Sequence, residues 1–260
     1  MRTLSWRGAM LPSLVANLVL LGVTAGATPR QEAFNIPNGT ILPVRLNRGI
    51  NSKKAQPGEV ISGRIMQDLP LPGGGKIPAG SKVSGTVVST SPAKSQDKAR
   101  ITLRFDTLEV HGQKTSITTD LRALASPTEV RLAQIPEISP DFGTSEAWAT
   151  TRQVGGDEVY GWYGVVTDRI SQHVGTSVPG GVLVHVRAQP GAKCRGELPG
   201  ENPVQALWVF SSDACGLYGY DALTIQHAGR SEPKGLIELV SNKGEVKLGE
   251  ASGLLLRIER

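Results

Sequence analysis

Arg100-Ile101-Thr102-Leu103-Arg104-Phe105-Asp106-Thr107-Leu108-Glu109-Val110 is the longest strand-like run of the chain, and it changes step in the middle. Side chains of a strand alternate between two faces, so Ile101, Leu103 and Phe105 share one of them. Leu108 and Val110 have the opposite parity. An apolar face stays on one side through such a change only if an extra residue is inserted, so a β-bulge is predicted near Asp106-Thr107.

Working outward, residues 41–46, 59–66, 82–89 and 114–119 carry similar signals, with Gly or Pro in nearly every gap. Strand patterns resume at 159–166, 181–188, 206–211, 223–227, 236–241, 245–248 and 253–259. Val182, Val184 and Val186 alternate with Leu183, His185 and Arg187, which predicts one drier face. Leu254-Leu255-Leu256 has no alternation and predicts a strand buried on both sides, placed here as a closing strand beside 41–46. Helix is a minor component: one turn near 128–133, one starting at Ser145, and one capped by Thr167 with Ile170 and Val174 on a shared face. The fold class is therefore all-β, an antiparallel barrel or sandwich with a second β lobe and a few short helices. The expected organisation is a barrel-like domain over 34–125 and a connection over 126–144 containing Pro127, Pro136 and Pro140. A β lobe over 145–260 follows, its last strand returning to the first domain.

A short motif occurs twice, Ile36-Pro37-Asn38-Gly39-Thr40 and Ile77-Pro78-Ala79-Gly80-Ser81, each making a tight corner that feeds a strand. With Ile41-Leu42-Pro43-Val44-Arg45-Leu46, Gly49-Ile50-Asn51-Ser52, Pro57-Gly58-Glu59-Val60 and Lys82-Val83-Ser84-Gly85, these motifs make residues 36–119 resemble a known domain. It is the barrel domain of the TrbI-like channel components of bacterial type IV secretion systems. The region is also similar to small β modules of bacterial envelope proteins. The resemblance implies a barrel in the cell envelope, and a subunit of a secretion-channel-like assembly as one function.

The N-terminus supplies the compartment. Arg2 and Arg7 precede an apolar stretch over 9–23, and Ala25-Gly26-Ala27 closes it, the order of a cleavable secretory signal. Pro12 and Asn17 interrupt a run already shorter than the ~20 residues a membrane-spanning helix needs. No Cys follows for lipid attachment, and no later stretch reaches spanning length, so no integral membrane segment is expected after cleavage. The expected location is periplasmic or extracellular. In an oxidising compartment Cys194 and Cys215 pair most simply with each other, closing a loop worth on the order of 3 kcal/mol.

Composition narrows the partners. The whole chain carries a formal charge of +5; without its first 27 residues it has 26 basic and 23 acidic side chains, a charge of +3. Those cations are scattered along the sequence, which argues against nucleic acid. The 31 glycines and 17 prolines alternate with apolar runs, the pattern of a turn-rich fold.

No catalytic residue is assigned. Gly73 through Lys82 superficially resembles a phosphate loop, but its Gly75–Lys82 part reads G-x4-G-S-K, without the order of such a loop or a helix after it, and the segment is expected to be a hairpin turn. His111, His173, His185 and His227 lack metal-site spacing, so neither a metal nor another cofactor is expected. Ser211-Ser212-Asp213, near His185 or His227 in space, would be the nucleophile candidate of an envelope hydrolase, but G-x-S-x-G is absent. Asp157-Glu158 point to opposite faces if they lie in a strand and cannot flank one bond. The aromatic residues are less bland. After the leader every Trp and Tyr falls between Trp148 and Tyr220. A second lobe with few Phe and Met needs such rings first of all as core anchors. The rival reading makes Tyr160, Trp162, Tyr163, Tyr218 and Tyr220, interspersed with glycine, a candidate platform for an envelope protein or glycan, with Tyr160 and Trp162 on the face opposite Tyr163. The expected role is thus a non-enzymatic envelope module, structural or binding.

Overall fold

Asp106 is the bulge. Thr107 lies opposite Ser84 and Phe105 opposite Gly85, so Asp106 has no counterpart on the neighbouring strand. Ile101, Leu103, Phe105, Leu108 and Val110 consequently all face the same core and are at most 1% exposed. The computed structural model describes residues 35–94, 97–137, 150–161, 164–188, 194, 203–226 and 234–259. The expected signal peptide (1–27), residues 138–144 of the connection, the expected helix at Ser145, Trp148 and His227 lie outside the described residues.

The chain forms β1 (Ile41–Leu46), β2 (Ile50–Asn51), β3 (Val60–Ile65), β4 (Leu69–Pro70), β5 (Lys76–Ile77), β6 (Lys82–Ser91), β7 (Arg100–Val110), β8 (Gln113–Ser116), β9 (Thr119–Ala125) and then α1 (Pro127–Leu132). A second run comprises β10 (Thr150–Arg152), β11 (Glu158–Tyr160), β12 (Val165–Thr167), β13 (His173–Val178), β14 (Gly181–His185) and β15 (Val204–Ala206). The last run is β16 (Gly216–Tyr218), β17 (Leu223–Gln226), β18 (Ile237–Ser241), β19 (Lys247–Leu248) and β20 (Gly253–Ile258).

The larger sheet has the order β16-β9-β20-β1-β3-β6-β7-β18-β17, with β8 beside β7. Its two ends, β16 and β17, are consecutive in the chain, only five residues apart between Tyr218 and Leu223. Five residues reach at most about 17 Å, whereas eight strand spacings laid flat span about 38 Å. The sheet must curl, and it forms a nearly closed barrel with almost no helix. β20 runs antiparallel to β1, with Ile41 opposite Arg257 and Arg45 opposite Gly253.

β10 to β15 form a separate six-stranded sheet in simple sequence order, inserted between β9 and β16. Two apolar cores follow. Leu42, Val44, Ile65, Phe105, Leu254 and Leu256 fill the barrel, while Ile41, Ala123, Leu255, Val184, Trp208 and Phe210 pack the inserted sheet onto its outer wall. The unbroken run Leu254-Leu255-Leu256 is thereby explained: neighbouring residues serve different cores. Val182, Val184 and Val186 are buried and His185 is exposed, so the drier face of that strand is the one against the barrel.

Three local expectations are corrected. Residues 167–174 are not a helix: Asp168 Oδ1 accepts from the N–H groups of Ile170 and Gln172, a turn that ends β12 and starts β13. The strand expected over 159–166 is two strands, β11 and β12, paired to each other. The strand expected over 206–211 stops at Ala206, because Trp208 adopts φ +56° and turns the chain. Two expectations match: Gly73-Gly74 joins β4 to β5 as a hairpin, and the turn near 128–133 is α1, capped by Ser126 with Pro127 in its first turn.

Candidate functional site

The inserted sheet meets the barrel at a pair of polar anchors. Gln67, which is 1% exposed and follows β3, donates from Nε2 to the Val182 carbonyl at 2.9 Å and accepts the Trp208 N–H at 2.8 Å. Gln205 Oε1 accepts the Ile41 N–H at 3.0 Å. Gly181 is needed there: a Cβ on it would lie 2.3 Å from Gln67 Oε1 and 2.6 Å from Trp208 Cα. These contacts hold Trp208 in its left-handed conformation, which a non-glycine residue adopts only when the surroundings fix it.

Beside the anchors opens a cleft of about 670 Å³, within the range of ligand sites. Met66 comes from the barrel and Ala133, Gln134 and Pro136 from the end of α1. The inserted sheet contributes Val159, Ser177 and the Pro179-Gly180 turn, and Trp208 with Val209 forms part of the wall. None of the described lining residues is charged, and none is His or Cys. Gln134 Nε2 donates to the Val130 carbonyl at 3.1 Å. The Gln153 amide, turned toward the carbonyls it faces, donates to Trp208 O at 3.2 Å and Val209 O at 3.1 Å. The cleft is therefore neutral and mostly apolar, with the hydroxyls of Thr151 and Ser177 and the indole N–H of Trp208 as the further side-chain polar groups of its described lining.

The aromatic candidates are spread over different surroundings. Tyr160 is 44% exposed on β11, and its hydroxyl donates to Glu158 Oε2 at 2.8 Å, which raises its pKa. Tyr218 sits partly buried against the outer core; burial raises its pKa, and its oxygen accepts the Cys215 N–H at 3.0 Å. Tyr220 packs against the barrel core and shares a 2.6 Å hydrogen bond with Ser252 Oγ. Trp162 and Tyr163 lie outside the described residues. Tyr218 and Tyr220 thus brace the barrel seam on opposite cores, and Tyr160 stands apart from them.

The polar candidates gather at another point. Ser211 Oγ donates to Asp213 Oδ1 at 3.0 Å, and Asp157 Oδ2 accepts the Ser212 N–H at 2.7 Å. Burial raises the Asp157 pKa above the usual carboxylate range. Arg187 pairs with Asp168, and Arg122 donates to the Arg187 carbonyl at 2.9 Å. Arg122, itself the extra residue of a bulge against β20, is 1% exposed, and burial lowers its pKa to about 10. Glu158 is elsewhere, paired with Arg152, and Ser211 is bonded to a carboxylate rather than an imidazole. Among the described residues no three His, Cys, Asp or Glu side chains are grouped to hold a metal ion.

Cys194 and Cys215 form a disulfide, with Cα atoms 5.8 Å apart, that ties residue 194 to the start of β16. No described helix is long and apolar enough to cross a membrane. Sequence reasoning missed Gln67 and Met66, because a buried glutamine and a methionine after a strand carry no periodic signal. The Pro179-Gly180 turn was readable as a turn, and nothing in it announced a cleft. No protein-family model, curated protein or solved structure matches the chain.

Proposed function

We propose that this protein is an exported, non-enzymatic β module of the bacterial cell envelope that binds a segment of another envelope protein. The observation that carries the reading is the neutral cleft of about 670 Å³ between Met66, the end of α1 and the inserted sheet. Hydrolysis needs a base within hydrogen-bond reach of the reacting group, and the described lining offers none. A sugar platform uses exposed rings, and Trp208, the aromatic residue in the wall, is 5% exposed. Apolar walls with a few hydroxyls suit an uncharged stretch of peptide. The signal-like first 27 residues, the disulfide and the resemblance of residues 36–119 to envelope barrels support an envelope location.

The test is site-specific photocrosslinking in intact envelope, with the photoreactive residue placed at Ser177 in the cleft or at Val60, which is 68% exposed on the barrel. The expected result is a discrete protein adduct from Ser177, absent from Val60 and lost when Val178→Asp is added. No adduct from Ser177, or one indifferent to Val178→Asp, would overturn the reading. Glycan capture abolished by Trp162→Ala would move the binding site to the aromatic residues instead.

A further inference from the structure

Register brings together cations that the sequence keeps far apart. Arg45 on β1 lies directly opposite Arg64 on β3, and Arg64 opposite Lys82 on β6. Lys82 is opposite Glu109 on β7, which is opposite Lys114 on β8. Arg45, Arg64, Lys82 and Lys114 are all exposed on the outer wall of the barrel. Like charges directly opposite on neighbouring strands destabilise a sheet, and among the described residues no carboxylate lies within ion-pair distance of Arg45, Arg64 or Lys82. Arg64 is held in place by donation to the Gly80 carbonyl at 3.1 Å.

A second row runs parallel to the first. Ser62, Ser84, Thr107 and Ser116 are paired in succession across β3, β6, β7 and β8, and Asn47 Nδ2 extends the row by donating to Ser62 Oγ at 3.0 Å. Beyond it, Thr86 is opposite Arg104, another exposed cation. Short hydroxyl side chains between longer cationic ones make a shallow trough across five strands, about 19 Å at the usual strand spacing.

We infer that this face binds a linear acidic polysaccharide, its carboxylates or phosphates on the Arg45-Arg64-Lys82 row and its hydroxyls on the serine and threonine row. Neither row contains an aromatic ring on which a nucleic-acid base would stack. Hydroxyls flank the cations, and the exposed apolar neighbour, Val60 opposite Thr86, is small, unlike the large aromatic or leucine anchors that a membrane surface accepts. No residue of the row lines the neutral cleft, although Arg45 borders a neighbouring pocket with Met66, Gln134 and Trp208. Arg64→Gln and Lys82→Gln therefore test this inference apart from the peptide reading.

The test measures binding of the full processed protein to polygalacturonate by calorimetry over a range of salt, with polyglutamate of matched charge and vesicles containing phosphatidylglycerol as comparisons. The variant Arg45→Gln/Arg64→Gln/Lys82→Gln removes the row; Lys53→Gln/Lys54→Gln/Lys94→Gln removes the same charge from exposed positions elsewhere. Neither variant is expected to melt below the parent, and removing the mutually repelling row should if anything raise the melting temperature. The expected result is salt-sensitive binding that falls at least tenfold in the first variant and less than twofold in the second, with polyglutamate at least fivefold weaker. Equal losses in the two variants, polyglutamate binding as tight as polygalacturonate, no binding by the parent protein, or binding to vesicles alone would each overturn the inference.

Discussion

Gln67 on the barrel receives the backbone N–H of Trp208 at 2.8 Å, and both residues are at most 5% exposed. That bond fixes the chain reversal that shapes one wall of the cleft. Gln67→Met keeps the volume and removes the acceptor, leaving a buried N–H without a partner. The expected loss is about 2 kcal/mol, read as a lower urea midpoint at unchanged slope. A midpoint within error of the parent would show that the reversal holds itself.

Gly85 sits opposite the bulge, where a Cβ would lie 1.7 Å from the Arg104 carbonyl oxygen. Backbone cannot yield there cheaply, so Gly85→Ala is expected to destabilise by roughly 3 kcal/mol or more. Gly75→Ala, with open space around its Cβ and no positive φ, is expected to change stability by less than about 0.5 kcal/mol. Thermal unfolding of the pair checks both, and equal effects would remove the bulge as the cause.

The Cys194–Cys215 bond closes a loop with a sequence separation of 21. Replacing both by Ser is expected to cost about 3 kcal/mol, measured by denaturant unfolding against the oxidised parent. Mass spectrometry after alkylation of the native protein should find neither thiol modified until reductant is added.

Asp157 is 1% exposed, and burial raises its pKa. The native state then holds the proton more tightly than the unfolded chain, so this group favours folding fully below its unfolded pKa of about 3.9. The contribution disappears as pH rises through the higher native value. Asp157→Asn should therefore flatten the stability profile in the range above about pH 4, where the native carboxyl still holds its proton and the unfolded one does not, measured by urea midpoints at each pH. A profile as steep as the parent's would assign the slope to other groups.

Much of the architecture was readable from local pattern. The parity change at Asp106 required a bulge because an apolar face cannot cross a sheet, and the bulge is there. The turn glycines and the pairing of the chain's two thiols were readable for similar reasons. Other elements were not. Thr119-Asp120-Leu121-Arg122-Ala123-Leu124-Ala125 is a fully buried strand that looks like no strand, because a charged pair interrupts it and both of its faces are covered. Residues 167–174 looked helical since Ile170 and Val174 are four apart, but Ile170 is 69% exposed in a turn. The candidate aromatic residues read as core anchors before platform; Tyr218 and Tyr220 do pack against apolar cores, but which core each one joins was not legible from their neighbouring positions.

By itself the sequence determined the all-β class, the positions of most turns and the pairing partner of each cysteine, since all three depend on residues near one another in the chain or on a choice between only two thiols. Tertiary structure alone decided that Arg45, Arg64 and Lys82 form one row, and that Met66, Pro136, Ser177 and Trp208 share one cleft. The reason is register: a strand's sequence says which side chains share a face, and only its hydrogen-bonded neighbours say what stands beside them.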